Sequence, residues 1–249
     1  MSAVWSVGDE LPPAMFELAK SFVDRTEGIE KFDDVQFYDE IVFAVRSKYS
    51  TDRFVTRRAP ELLSVVHRIE SRLDRGWFHK IGLTSPQARY ASKPEATTGS
   101  IQDGVPDTVM QKPQGALWTS SFLPDGRSAW AEQEVASSHS ARRLYRVVFA
   151  ESDVRAYTLD SLSDFTQLLD LYPSVDDVGR VAVAWSKMAS DFDAVHMTAR
   201  GLLAIEGVEV QARNGVGRLV GWDAESTAWF RFPRTTRLDP AEGQATAEI

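Results

Sequence analysis

The stretch GWDAESTAWF, Gly221 to Phe230, sets two acidic residues between two tryptophans, at the mouth of a run that reads as the chain's last strand. STAWFRF, from Ser226 to Phe232, is short, rich in β-branched and aromatic residues, and bounded by turn formers, as a strand in a sheet should be. Upstream, runs of the same texture occur at 115–122 (GALWTSSF), 144–150 (LYRVVFA), 154–160 (VRAYTLD), 193–198 (DAVHMT) and 207–213 (GVEVQAR). The second half of the chain is therefore expected to be mostly strand. Why its last strand should open on Asp223 and Glu225, when everything after them favours burial, is a question about function.

The first 80 residues read differently. Pro12 and Pro13 suit the first turn of a helix, whose amides lack partners in any case, and Met15, Leu18 and Phe22 then share a face. Val35, Tyr38, Ile41, Val42 and Val45 repeat the pattern. A third helix is predicted from about Pro60 to Arg75, with Leu62, Val66, Ile69 and Leu73 on one stripe and Gly76 just past its end. Within the strand-rich half, Ser161 or Ser163 can cap a helix carrying Phe165, Leu168, Leu169 and Tyr172 and stopping at Pro173, and a short helix is predicted near Val183 to Phe192. Between the halves, Ser92 to Gln114 carries three prolines and two glycines with little apolar periodicity, and reads as a long loop. Helices followed by strands with occasional helices argue for an α+β class. The expected organisation is a helical region over 1–80, an α+β domain over 81–234 and a flexible polar tail over 235–249.

At 249 residues and 43% hydrophobic the chain can bury a sizeable core. It has no cysteine, which rules out disulfides and thiolate metal sites and suits a reducing, cytoplasmic setting. No charged leader or membrane-length apolar run is evident, so no membrane partner is expected. The net charge of −8 sets a repulsive field against nucleic acid, which disfavours it as a partner.

Several chemistries lack their signatures. No P-loop is present. GVGRLVG from Gly215 has the wrong spacing for a dinucleotide fingerprint, and NGVG, Asn214 to Gly217, reads as a hairpin turn. No serine sits in a nucleophile elbow. His67, His79, His139 and His196 show no metal-ligand spacing. His67 lies beside the stripe of the third helix and reads as a packed or boundary residue. His196, between Val195 and Met197, alternates away from the core toward solvent or a cleft.

Three pieces remain: ARYAS at 88–92, KPQGALWTSS at 112–121 with Trp130 nine residues on, and GWDAESTAWF. Together they resemble the ADP-ribosyltransferase superfamily, in the branch shared by diphtheria-type toxins and poly-ADP-ribose polymerases. In that family a first strand carries His or Arg followed by Ser or Thr, a second strand a glycine, an aromatic and a serine, and a late strand a catalytic Glu. The resemblance implies a split, mostly antiparallel sheet core and NAD as substrate, with ADP-ribose passed to an unknown acceptor, as in toxin-like glycosyltransferases. It assigns Arg89 or Tyr90, with Ser92, to the first strand, Gly115, Leu117, Trp118, Ser120, Ser121 and Trp130 to the second, and the catalytic role to Glu225. Gly115 would meet the nicotinamide carboxamide and Trp118 or Trp130 would stack on its ring. Ser92 or Ser120 would bond ribose hydroxyls, and Arg89 or Lys112 would balance the pyrophosphate. This reading requires Glu225, Trp118 and Ser92 to line one cleft.

Two other readings compete. Asp223 and Glu225 can form a carboxylate pair in another glycosidic-bond hydrolase, although residues two apart on a strand share a face and leave little room between them unless the strand begins after Glu225. Alternatively the tryptophans anchor a protein partner in a non-catalytic interaction module.

Overall fold

The computed structural model describes residues 10–23, 25, 28–47, 56–80, 82–95, 97–105, 111–131 and 142–241; His139 and parts of the long loop lie outside these. The class is α+β, with mostly antiparallel sheets. The three N-terminal helices form where the apolar stripes place them: α1 (Pro13–Val23), α2 (Asp34–Ser47) and α3 (Leu63–Leu73). Met15, Leu18, Phe22, Ile41, Val45, Val66 and Ile69 are buried in one core that continues to the sheet, so the helices are a layer of the same body. His67, expected at the boundary, is exposed.

A short ladder joins β1 (Glu10–Leu11) to β2 (Arg57–Arg58). The main sheet contains β3 (Gln87–Ala91), β4 (Leu117–Ser121), β5 (Arg143–Val148), β6 (Ala156–Leu159), β9 (Ala194–Met197), β12 (Ser226–Trp229) and β13 (Arg237–Pro240). Its order is β13-β5-β3-β4-β12-β9-β6, antiparallel except where β6 runs parallel to β9. A second sheet, in the order β10-β11-β8-β7, is built from β7 (Pro173–Val175), β8 (Arg180–Val183), β10 (Glu209–Ala212) and β11 (Gly215–Arg218). The hairpin read at NGVG joins β10 to β11, with its turn at Arg213 and Asn214.

Helix α4 (Leu162–Leu171) starts at Ser161, whose hydroxyl accepts the Asp164 N–H while the Asp164 carboxylate accepts the Ser161 N–H. Helices α5 (Trp185–Asp191) and α6 (Ala199–Ile205) complete the described set, and α1 and α2 pack against α6. Arg237–Pro240, assigned from sequence to a flexible tail, is an edge strand: it pairs with β5 through backbone bonds while its polar side chains stay largely exposed. No described helix is long and apolar enough to cross a membrane.

Register decides what each face of the main sheet carries, because cross-strand partners share a face and neighbours along a strand alternate. Gln87 stands opposite Ser121, and Thr119 opposite Thr227, which stands opposite His196. One face therefore holds a polar row of Gln87, Thr119, Ser121, Thr227 and His196. Beside it lies a small apolar cluster of Leu117, Val147, Phe149, Ala194 and Trp229. The opposite face, with Val195, Met197 and Ala228, packs into the core shared with the helices.

Candidate functional site

The residues from Gly221 to Ser226 are fixed by hydrogen bonds on every side. Glu206 is fully buried, and its carboxylate accepts the N–H groups of Gly221 (2.7 Å) and Trp222 (3.1 Å). The Tyr38 hydroxyl, from α2, accepts the Glu225 N–H at 3.0 Å and donates to the Ala129 carbonyl at 2.9 Å. Strand pairing begins only at Ser226, so Glu225 stands at the strand mouth as the sequence suggested. The helical layer thus holds the backbone of the acidic residue directly, through one buried phenol.

The Glu225 carboxyl accepts the Ser121 N–H on Oε2 (2.8 Å) and the Ser121 hydroxyl on Oε1 (2.6 Å). His196 Nε2 lies 3.5 Å from Oε1. Burial pushes the Glu225 carboxyl up to about 7, against the two Ser121 bonds that favour its charged form. Burial also pushes the His196 imidazole down to about 4. Both groups therefore favour their neutral forms, and one proton between them decides whether the pair is neutral or ionic.

Glu225, Ser121 and His196 form part of the wall of a cleft of about 1180 Å³ at one end of the main sheet. The other walls come from the segment after α3 (Trp77, Phe78, Lys80), the approach to β3 (Thr84 to Pro86), the turn after β4 (Phe122, Asp125 to Arg127) and the start of α6 (Ala199, Arg200). Arg146 and Asp239 extend it along β5 and β13. Trp77 is fixed by its indole N–H, which donates to the Phe122 carbonyl at 2.8 Å. Arg127 is tied to Asp125 and Asp39, and Arg200 to Asp74. Arg146 lies over the Phe122 ring, 5.5 Å from its centroid.

Of the residues that the family resemblance assigned, the structure brings Glu225 and Ser121 into this cleft and leaves the others outside it, so the shared cleft of Glu225, Trp118 and Ser92 that the resemblance requires does not form. Ser120 points to the opposite face, where its hydroxyl meets that of Ser128 at 2.7 Å. Trp118 also lies on that face, edge-on to Trp222 at 4.9 Å and beside Trp130 at 5.9 Å. Lys112 lies over both rings, 5.4 and 5.9 Å from their centroids, and 3.7 Å from Asp223. Gly115 has φ +83° and a carbonyl already accepting Gly99 N–H at 2.7 Å; a Cβ there would sit 2.1 Å from the Ser100 carbonyl oxygen. It serves a turn rather than a carboxamide. Arg89 donates to the Trp118 carbonyl at 3.2 Å, Tyr90 is half-buried on β3, and Ser92 is exposed beyond it. Asp223, with Lys112, and Glu225, in the cleft, do not form a carboxylate pair.

Two contributors went unassigned in the sequence, His196 as a partner for Glu225 and Gln87 beneath it, and Ser121 was placed in the second-strand motif without its role as hydrogen-bond donor to Glu225. Alternation flagged His196 as leaving the core, and the same count along TSS separates Ser121 from Ser120. Gln87 carries no such signal. No family model, curated protein or solved structure matches this chain.

Proposed function

We propose that the protein is an enzyme of glycosyl transfer in which Glu225 acts on a glycosidic bond, with the nicotinamide–ribose bond of NAD as its target and water or a second molecule as acceptor, the ligand being held by the lining of the Glu225 cleft and not by Trp118 and Ser92 as the resemblance implied. One observation carries this reading: a buried carboxyl in the cleft wall, fixed by two Ser121 bonds, raised to about 7 and faced by a neutral imidazole. A carboxyl balanced near neutrality can be a charge stabiliser in one step and a proton acceptor in the next. In NAD the leaving nicotinamide departs neutral with the bonding electron pair, so no acid is needed. Positive charge then grows on the ribose, where an ionised Glu225 stabilises it. The acceptor O–H attacks the same carbon from the open side and its proton passes to Glu225, with His196 Nε2 next in line.

The cleft supports a ligand of this kind through Trp77 and Phe122 in its lining and through Lys80 and Arg146, which set cations beside the Asp125, Glu151 and Asp239 carboxylates of the same walls. Its volume of about 1180 Å³ accommodates a dinucleotide. The test is nicotinamide release from NAD by the wild type and by Glu225→Gln, with binding followed in parallel. The expected outcome is turnover that rises with pH through about 7, as the carboxyl ionises, and its loss in the variant while binding persists. Wild-type protein that neither binds nor cleaves NAD would end the NAD assignment.

A further inference from the structure

Gln87, on β3, is fully buried and touches no cleft surface. Its hydrogen bonds nevertheless connect the supports of both reacting groups. Nε2 of Gln87 donates to the Thr84 carbonyl at 2.9 Å, and a carbonyl oxygen can only accept, so the amide cannot be flipped. The remaining N–H points at the Ser121 hydroxyl, 3.2 Å away. Oε1 of Gln87 then faces two hydroxyls, those of Thr119 at 3.3 Å and Thr227 at 3.2 Å. Thr119 accepts the Trp229 indole N–H at 2.8 Å, which directs its own hydroxyl proton to Gln87.

Thr227 lies 2.9 Å from Nδ1 of His196. Were Thr227 to donate to that nitrogen, its oxygen would face Oε1 of Gln87 as two acceptors in contact. Donation to Gln87 removes the clash and leaves the Thr227 oxygen to accept a proton from Nδ1. We propose that Gln87 is the positioning residue of this site: it locks His196 as the Nδ1–H tautomer, with the Nε2 lone pair turned to Glu225, and aims the Ser121 hydroxyl at the same carboxyl. The imidazole is thereby a proton acceptor for Glu225 and not a competing donor. The kinetic consequence rests on Glu225 being the reacting carboxylate, whereas the tautomer does not.

The test is the ring nitrogen spectrum of His196 in protein labelled at histidine nitrogens, assigned by the signals lost in His196→Gln. Between about pH 4 and 7, where imidazole and carboxyl are both neutral, the expected wild-type spectrum shows a protonated Nδ1 and a bare Nε2. In Gln87→Leu the freed Thr227 hydroxyl turns to Nδ1 and the proton moves to Nε2. Thr227→Val, which has no oxygen to accept from Nδ1, shifts the tautomer as well, and Thr227→Ser restores it, so this pair tests the link even if Gln87→Leu folds poorly. In nicotinamide release, Gln87→Leu and Thr227→Val are expected to lower kcat by about 100-fold, the lower range of a general base, with KM little changed and recovery in Thr227→Ser. A wild-type histidine protonated on Nε2, or a Gln87→Leu variant with the wild-type tautomer, overturns the assignment. Failure of NAD turnover alone would remove the proposed function and leave the tautomer standing.

Discussion

Strand β4 and the segment leading into β12 build two aromatic or polar clusters on opposite faces of one sheet, and the clusters differ in kind. On the cleft side Glu225, Ser121, His196, Thr227 and Gln87 form a polar network with a perturbed carboxyl and access to a large cleft. On the other side Trp118, Trp130 and Trp222 pack on one another under Lys112 and Asp223, outside the lining of that cleft. The tryptophans catch the eye in the sequence, yet what the structure shows of them is packing on one another and on the core. The proposed chemistry falls to the less conspicuous residues on the other face, because a single step along a strand changes face.

The sharpest contrast between the two clusters is a pair of substitutions. Glu225→Gln is expected to lower nicotinamide release by on the order of 10³-fold, as removal of a preorganised electrostatic group does. Trp118→Ala should cost about 3 kcal/mol of stability, seen as an earlier denaturant midpoint, with turnover of the folded protein kept within a few-fold. Loss of turnover in folded Trp118→Ala would reverse the assignment of roles.

Next in size is the pH dependence of stability. Glu225 has a folded value raised from 4.5 to about 7, so its contribution is full below 4.5 and is lost as pH rises toward 7, by about 3 kcal/mol. His196 is depressed from 6.5 to about 4, so its contribution is full above 6.5 and is lost as pH falls toward 4, by about the same amount. Urea midpoints across this range should therefore show Glu225→Gln gaining on the wild type as pH rises. His196→Gln should gain as pH falls. Opposite trends would mean that the buried pair is ionic. A carboxyl that costs stability at neutral pH fits a group kept for function.

Smaller still, Tyr38→Phe leaves the Glu225 N–H and the Ala129 carbonyl short of a partner, at a cost of about 2 kcal/mol. Turnover should fall with it if the helical layer holds the reacting carboxylate in place. A stability loss with unchanged turnover would confine Tyr38 to packing.

Much of the fold was legible because its apolar signals are local. The three N-terminal helices fall where periodicity puts them and the six strand runs where β-branched and aromatic residues cluster, and of the two serines offered as cap for α4 it is Ser161 that serves. Helix α6 was not legible: all but one of its residues are buried, so no polar stripe marks it, and it contains Gly201, where a Cβ would sit 2.0 Å from the Leu159 carbonyl oxygen. Strand β13 carries no apolar pattern because backbone bonds alone hold it at the edge. At the site, the position of Glu225 at a strand mouth was readable from GWDAEST. The rest depended on register between strands far apart in sequence, which places Ser121 and not Ser120 beside Gln87, and His196 beside Thr227.

The most direct test of the contrast between the two faces is a titration of labelled protein with NAD, following the tryptophan indole N–H and histidine ring signals by NMR. Trp77 and His196 line the cleft, whereas Trp118 and Trp130 lie on the opposite face. The expected result is movement of the Trp77 and His196 signals with Trp118 and Trp130 unmoved. Movement of Trp118 and Trp130 with a silent cleft, or no movement at millimolar NAD, would contradict the assignment of the cleft as the site.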